Sequence, residues 1–291
     1  QTQTITIEPA PEAVFDAVSN ETITCAEAQT FVEGDLAYTN GATVACLIEG
    51  VVPGVITGTF DACGGELTQT WTFTDDCSRT ITQTQTITIE PAPEAVLDAV
   101  ANETITCAEA QTFVASDLAY SNSATAACLI EGMVPGVITG TFDACGGELT
   151  QTWTFTDNCS RTITQTQTIT IEPAPEAVFD AVANETITCA EAQTFLASDL
   201  AYSNGATVAC LIEGVVPGVI TGTFDACGGE LTQTWTFTDN CSRTITQTQT
   251  ITIEPAPEAA FDAVANETIT CAEAQTFLAS DLAYSNGATV A

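Results

Sequence analysis

The residues best equipped for chemistry in this sequence are its cysteines. Cys25, Cys46, Cys63 and Cys77 recur as Cys107, Cys128, Cys145 and Cys159, then as Cys189, Cys210, Cys227 and Cys241, with Cys271 as the thirteenth. An even set at constant spacing reads as disulfides formed in an oxidising, extracellular setting. A four-cysteine zinc site is the competing chemistry, but zinc favours close pairs, and the separations here are 21, 17 and 14 residues. Four cysteines allow three pairings. Cys63 and Cys77 flank a segment patterned as one extended strand, which sets their Cα atoms about 25 Å apart, whereas a disulfide tolerates less than about 7 Å. That disfavours Cys63–Cys77, and with it Cys25–Cys46. Of the other two pairings, Cys25–Cys63 with Cys46–Cys77 is preferred, because Cys46 and Cys77 adjoin loops expected at one pole. The same choice gives Cys107–Cys145, Cys128–Cys159, Cys189–Cys227 and Cys210–Cys241.

Carboxylates are the other abundant reactive groups. The 291 residues carry 38 acidic and 3 basic side chains and no histidine, a formal charge of −35. Asp75 and Asp76 sit in a turn, Asp61 precedes Cys63, and Glu12 and Asp16 follow a proline-rich stretch. Oxygen ligands of this kind suit calcium, a hard cation, so these five are the candidate metal ligands and Ca2+ is the candidate cofactor. No DxDxDG loop is present, and position 76 becomes Asn158 and Asn240 in later copies; solvated acidic surface is the plainer reading. Without His or Lys, imidazole bases, Schiff bases and lysine isopeptide bonds are excluded, and paired carboxylates show no aromatic cleft around them, so no enzyme activity is expected. Three arginines cannot displace the counterions of a nucleic acid. The longest apolar tract, 42–60, is broken by Glu49, Gly50, Pro53, Gly54 and Gly58, so membrane insertion is not expected either.

The three cations are Arg79, Arg161 and Arg243, each two residues after a cysteine; a local ion pair with Asp75 or Glu66 is preferred over a contact to a neighbouring repeat or chain. Trp71, Trp153 and Trp235 share a face with Phe73 and its equivalents and read as core. Asn20, Asn102, Asn184 and Asn266 each begin an N-E-T acceptor pattern for glycosylation.

The elements that position these groups repeat. QTQTITIEPAPEA begins at Gln1, Gln83, Gln165 and Gln247, a period of 82, and the first two copies differ at nine positions. That period suits a small domain better than a solenoid unit. The prolines of EPAPE mark boundaries, giving repeats 9–90, 91–172 and 173–254, with 1–8 the last strand of a preceding repeat and 255–291 a partial fourth. The sequence therefore reads as a window on a longer repetitive chain. Within a repeat, Leu67–Thr74 and Thr80–Ile89 alternate apolar and threonine residues, a hairpin pattern. Further strands are expected at 22–25, 29–32, 43–48 and 55–60, and a turn or two of helix at 11–17. The fold class is all-β: tandem antiparallel immunoglobulin-like β-sandwiches, disulfide-stabilised, like beads on a string. The threonine-rich strand 80–89, if it lay at a sheet edge, could pair with a neighbouring chain.

The run 59–89 (TFDACGGELTQTWTFTDDCSRTITQTQTITI), with ETITCAEAQTF at 21–31, resembles the HYR-like, immunoglobulin-related repeats of giant surface proteins of Bacteroidota. The resemblance implies an adhesin or surface filament, exported by type IX secretion, and transfers no catalytic residue. Together these observations point to an extracellular, non-catalytic repeat protein forming a surface stalk or filament, with neighbouring copies of the same chain or repeat as partners. The alternative is the repeat region of a cell-surface adhesin that binds surface glycans or calcium through its beads.

Overall fold

The computed structural model describes residues 1–287, so the last four residues of the expected fourth repeat lie outside the described residues. The chain forms two compact units. One comprises residues 1–103, 114–139 and 150–169, the other 104–113, 140–149 and 170–291. The units do not coincide with the 82-residue repeats, because the second repeat contributes to both.

In the first unit, the first repeat folds into seven strands: β1 (Val14–Phe15), β2 (Glu21–Thr24), β3 (Asp35–Thr39), β4 (Glu49–Pro53), β5 (Val55–Asp61), β6 (Gly64–Thr74) and β7 (Thr80–Glu90). They form two sheets, in the orders β1-β3-β4 and β2-β7-β6-β5. This is an immunoglobulin-like sandwich, antiparallel except where β2 runs parallel to β7. The hairpin β6–β7 is the longest pairing, from Gly65 opposite Ile89 to Thr74 opposite Thr80. Period-two alternation works here as elementary sheet geometry requires: Leu67, Gln69, Trp71, Ile87 and Ile89 are buried, and the intervening threonines supply β-branched residues to the other face. Buried Trp71 and Gln69 need partners for their N–H groups. Both donate to the Gly34 carbonyl, at 2.7 and 2.8 Å, and so pin the loop that leads into β3. Tyr38 on β3 stacks on Phe73 of β6 at 3.8 Å, tying the two sheets together.

In the second unit the third repeat builds the same pair of sheets. Trp235 and Gln233 there both donate to the Ser198 carbonyl. Of the fourth repeat, Ala260–Phe261 and Tyr284–Ser285 form a two-stranded pair.

Several expected elements differ. Residues 29–32, expected as strand, form the turn and loop that follow a helical turn at Cys25–Ala28. Thr24 and Glu27 form a reciprocal capping box that starts it. Residues 43–48 carry a 3₁₀ turn, Val44–Cys46, instead of a strand, and the expected helix at 11–17 holds β1. β3 and β4 were missed: short and half-buried, they lie between Gly, Asn and Pro residues that read as loop. β7 is an inner strand, flanked by β2 and β6, although β2 pairs only with residues 87–90.

Candidate functional site: the cysteine junction

Every disulfide joins one repeat to the next. In the first unit Cys25 bonds Cys128 and Cys63 bonds Cys159; in the second Cys107 bonds Cys210 and Cys145 bonds Cys241. The Cα atoms of these pairs lie 5.9 Å apart in the first kind and 5.2 Å in the second, inside the range a disulfide needs. The expected pairings within a repeat, Cys25–Cys63, Cys46–Cys77 and their equivalents, are therefore corrected. Each repeat does gather its cysteines at two faces. Cys25 and Cys63 both sit at Asp61, whose carbonyl oxygen lies 3.5 Å from the disulfide-bonded Cys25 Sγ and whose Oδ1 accepts from the Cys63 N–H. We call this the tail face. Cys46 and Cys77 line a common cleft with Tyr38 and Phe73, the head face. The bonds form where the tail face of one repeat meets the head face of its successor.

Local structure explains why the tail-face cysteines present themselves this way. The capping box places Cys25 at the first position of its helical turn. On the same turn Gln29 donates to the Thr125 carbonyl of the next repeat at 2.9 Å, and its Nε2 lies 2.9 Å from Cys128 Sγ. Gln111 repeats the contact with Thr207 in the second unit. Cys63 lies in the tight turn between β5 and β6, where Gly64 adopts φ +90 and a Cβ would meet the Ile89 carbonyl at 2.5 Å. The apolar core is completed across the junction: Cys25, Ala28, Leu67, Ile87, Ile89 and Ala92 cluster with Cys128, and Ala124 packs against them. In the chain-entropy model, a crosslink closing a loop of about 100 residues stabilises by about 4.7 kcal/mol; the loops here span 103 and 96 residues.

On the head face, Asp75 is held by Arg79. Its Oδ2 accepts from Arg79 Nε at 2.7 Å, and its Oδ1 accepts from the backbone N–H groups of Cys77 and Arg79. Arg79 Nη1 also donates to the Ala10 carbonyl in the proline segment. The Arg79 backbone N–H, foremost, and then its guanidinium hold the Asp75 carboxyl below the usual carboxylate range, against the opposing effect of burial. Asp157–Arg161 and Asp239–Arg243 repeat the pair, so the local ion pair is the arrangement found. The conformation of the turn that carries Cys77, Cys159 or Cys241 is thus set by one carboxylate and one guanidinium.

The candidate calcium ligands are not brought together. Asp75 is engaged with Arg79, Asp61 caps the Cys63 turn, and Asp76, Glu12 and Asp16 are exposed. Among the described residues no group of three or more His, Cys, Asp or Glu side chains is placed to hold a metal. The acceptor asparagines have a structural use that the N-E-T pattern concealed. Asn20 Oδ1 accepts from the Thr86 N–H at 2.9 Å, just beyond the parallel β2–β7 pairing, and Asn102 and Asn184 do the same for Thr168 and Thr250. Trp71, Trp153 and Trp235 are core residues, no more than 3% exposed.

No protein family and no curated protein matches the chain. Among solved structures, a three-domain immunoglobulin segment of titin is similar at 8% identity and a TM-score of 0.23, covering 85% of this chain and all of that one. The catalytic domain of Clostridium perfringens ZmpB, with its two CBM51 domains, is similar at 7% identity and a TM-score of 0.18, covering 80% of this chain. The present chain spans 35% of that ZmpB structure's length.

Sequence reasoning found the cysteines, the disulfide bonding of eight of them and their two poles, and missed their partners. The capping box T-x-x-E at 24–27 and the Gln29 beside it were the signals for the junction. No helix among the described residues is long and apolar enough to cross a membrane.

Proposed function

We propose that this chain is an extracellular, non-catalytic structural protein, a HYR-like repeat array whose repeats are stapled in series to form a surface stalk or filament. One observation carries the reading: each of the four disulfides joins adjacent repeats. A bond within a repeat would stabilise that repeat alone. Paired bonds from the first repeat to the second, and from the second to the third, instead make those neighbours covalently continuous by three routes, the main chain and two disulfides. That is the chemistry of a strand that carries tension outside the reducing cytosol. Near-identical repeats support the same role, since a single binding site needs no such multiplication. The acidic surface, with a formal charge of −35, keeps neighbouring strands apart at low ionic strength.

Immunogold electron microscopy of intact source cells, with an antibody against the repeat, tests this. Gold is expected along thin unbranched strands projecting from the surface. Gold confined to the cell interior, or on compact particles, would overturn the proposal.

A further inference from the structure

The two disulfides of a junction differ in how far a reagent can reach them. Cys25 and Cys128 are 3% and 2% exposed, and Cys107 and Cys210 are 2% and 1% exposed, so these two bonds are sealed. The four cysteines of Cys63–Cys159 and Cys145–Cys241 are half-buried. Each of these bonds forms part of the wall of a cleft, of about 370 Å³ at the first junction and 420 Å³ at the second. A cavity of that size admits a small molecule. The two linings correspond residue for residue, one period of 82 apart.

The two sulfurs of the open bond are not equivalent either. Arg161 Nη2 lies 3.7 Å from Cys159 Sγ, and Arg243 Nη2 lies 3.7 Å from Cys241 Sγ. Asp157, which accepts from the Cys159 N–H, is already paired with Arg161. Cys63 has the Asp61 carboxylate on its N–H instead, and all three arginines are paired elsewhere. A guanidinium stabilises a thiolate and an uncompensated carboxylate opposes one. When this bond breaks, the negative charge therefore settles on Cys159. At the sealed bond Cys128 has only the neutral Gln29 amide beside its sulfur.

We propose that Cys63–Cys159 and Cys145–Cys241 are exchange sites for a small-molecule thiol, while Cys25–Cys128 and Cys107–Cys210 stay closed. The thiol gives its proton to water and its thiolate attacks Cys63 Sγ. The S–S bond breaks, and its electron pair leaves on Cys159 Sγ beside Arg161. A second thiolate then attacks the reagent's sulfur in the mixed disulfide, forming the reagent's own disulfide and freeing Cys63. The two cysteines take up two protons, so two thiols are oxidised to one disulfide and one junction bond is reduced. Asp61, Glu131 and Asp157 line the first cleft and no cation does, so the thiol it takes is neutral or cationic. Exchange loosens a junction without severing it, because the sealed bond still joins the two repeats. The inference goes beyond the stalk reading and shares with it only the inter-repeat connectivity.

The test uses the whole chain, its unbonded cysteines first blocked with N-ethylmaleimide. Limiting cysteamine is added, the reaction is quenched with iodoacetamide, and the modified cysteines are mapped by mass spectrometry. Cys63, Cys159, Cys145 and Cys241 should be modified before any cysteine of the sealed bonds, with the cysteamine adduct on Cys63 over Cys159 by about tenfold. Arg161→Gln should erase that preference at the first junction and keep it at the second, where Arg243 is untouched and reports that the variant is folded. Thioglycolate, an anionic thiol, should react about tenfold more slowly than cysteamine at low salt, after correction for thiolate fraction. Opening of all four bonds together, adducts shared equally by Cys63 and Cys159 in the unaltered chain, or equal rates for the two reagents overturns the exchange proposal and leaves the stalk reading standing. Cys63 joined before reduction to a partner other than Cys159 overturns both.

Discussion

Pull the chain by its two ends and the disulfides decide how long it becomes. With every fold lost but every disulfide intact, tension follows the shortest covalent path. That path runs from Gln1 to Cys25, crosses to Cys128, continues to Cys145, crosses to Cys241 and ends at Ala291. It contains about 91 residues of main chain, or about 320 Å at about 3.5 Å per residue. The reduced chain, with about 290 peptide steps, reaches about 1,000 Å. Pairing within repeats would give a third value, because the path through Cys25–Cys63, Cys107–Cys145 and Cys189–Cys227 contains about 176 residues, or about 620 Å. Single-molecule stretching with handles at both termini separates the three. Full extension should plateau near the shortest value and rise to the longest after reductant is added. Cys128→Ser reroutes the load through Cys63–Cys159 and Cys145–Cys241, and should lengthen the oxidised plateau by about 35 residues, or about 120 Å. A plateau at the intermediate length would refute the inter-repeat connectivity and the stalk reading built on it.

Two further predictions concern the repeat itself. The carboxyls of Asp75, Asp157 and Asp239 titrate below their ordinary range. For Asp157 and Asp239 burial is the largest single influence and raises them, but the bonds and charge from the following arginine together outweigh it. A depressed folded pKa contributes stability that is complete above the unfolded carboxylate range and is lost as pH falls through the folded value; melting temperature should therefore drop on acidification, and replacing all three with Asn should flatten that dependence. Gly136→Ala would drive a methyl group into the Gln151 amide and to 2.8 Å from the Ser116 carbonyl oxygen, the atom that also receives the Trp153 N–H. The expected cost is about 1–3 kcal/mol, read by denaturant unfolding with the disulfides intact.

How much of this was legible in the sequence depends on what each signal measures. Alternation at 67–74 and 80–89 reports which side of a sheet a residue faces, and it placed Trp71, Leu67 and Ile87 in the core. β3 and β4 escaped because their burial is shallow and their boundaries are organised by one side chain. Asn40 donates to the carbonyls of Pro11 and Cys46 and accepts from the N–H groups of Ala42 and Ile48, and no periodicity announces such a hub. The disulfide partners were illegible for a deeper reason. With a period of 82, Cys46 and Cys128 stand in nearly the same local sequence, so residue type and spacing cannot separate a partner in the same repeat from one in the next. The argument that rejected Cys63–Cys77 within a repeat stayed silent about Cys63–Cys159, which joins the same two positions one repeat apart.

The core shared across each junction bears on how such a chain is made. Cys25 and Cys63 have no partners until the following repeat has been delivered, so every newly emerged repeat waits with two reactive thiols and an uncovered apolar edge. Because the repeats are nearly interchangeable, that edge carries no address: any head face fits any tail face. Correct assembly then depends on order of arrival, each repeat being captured by its predecessor before a later copy can compete. Folding by this route is a ratchet, in which each closed junction makes the preceding step hard to reverse.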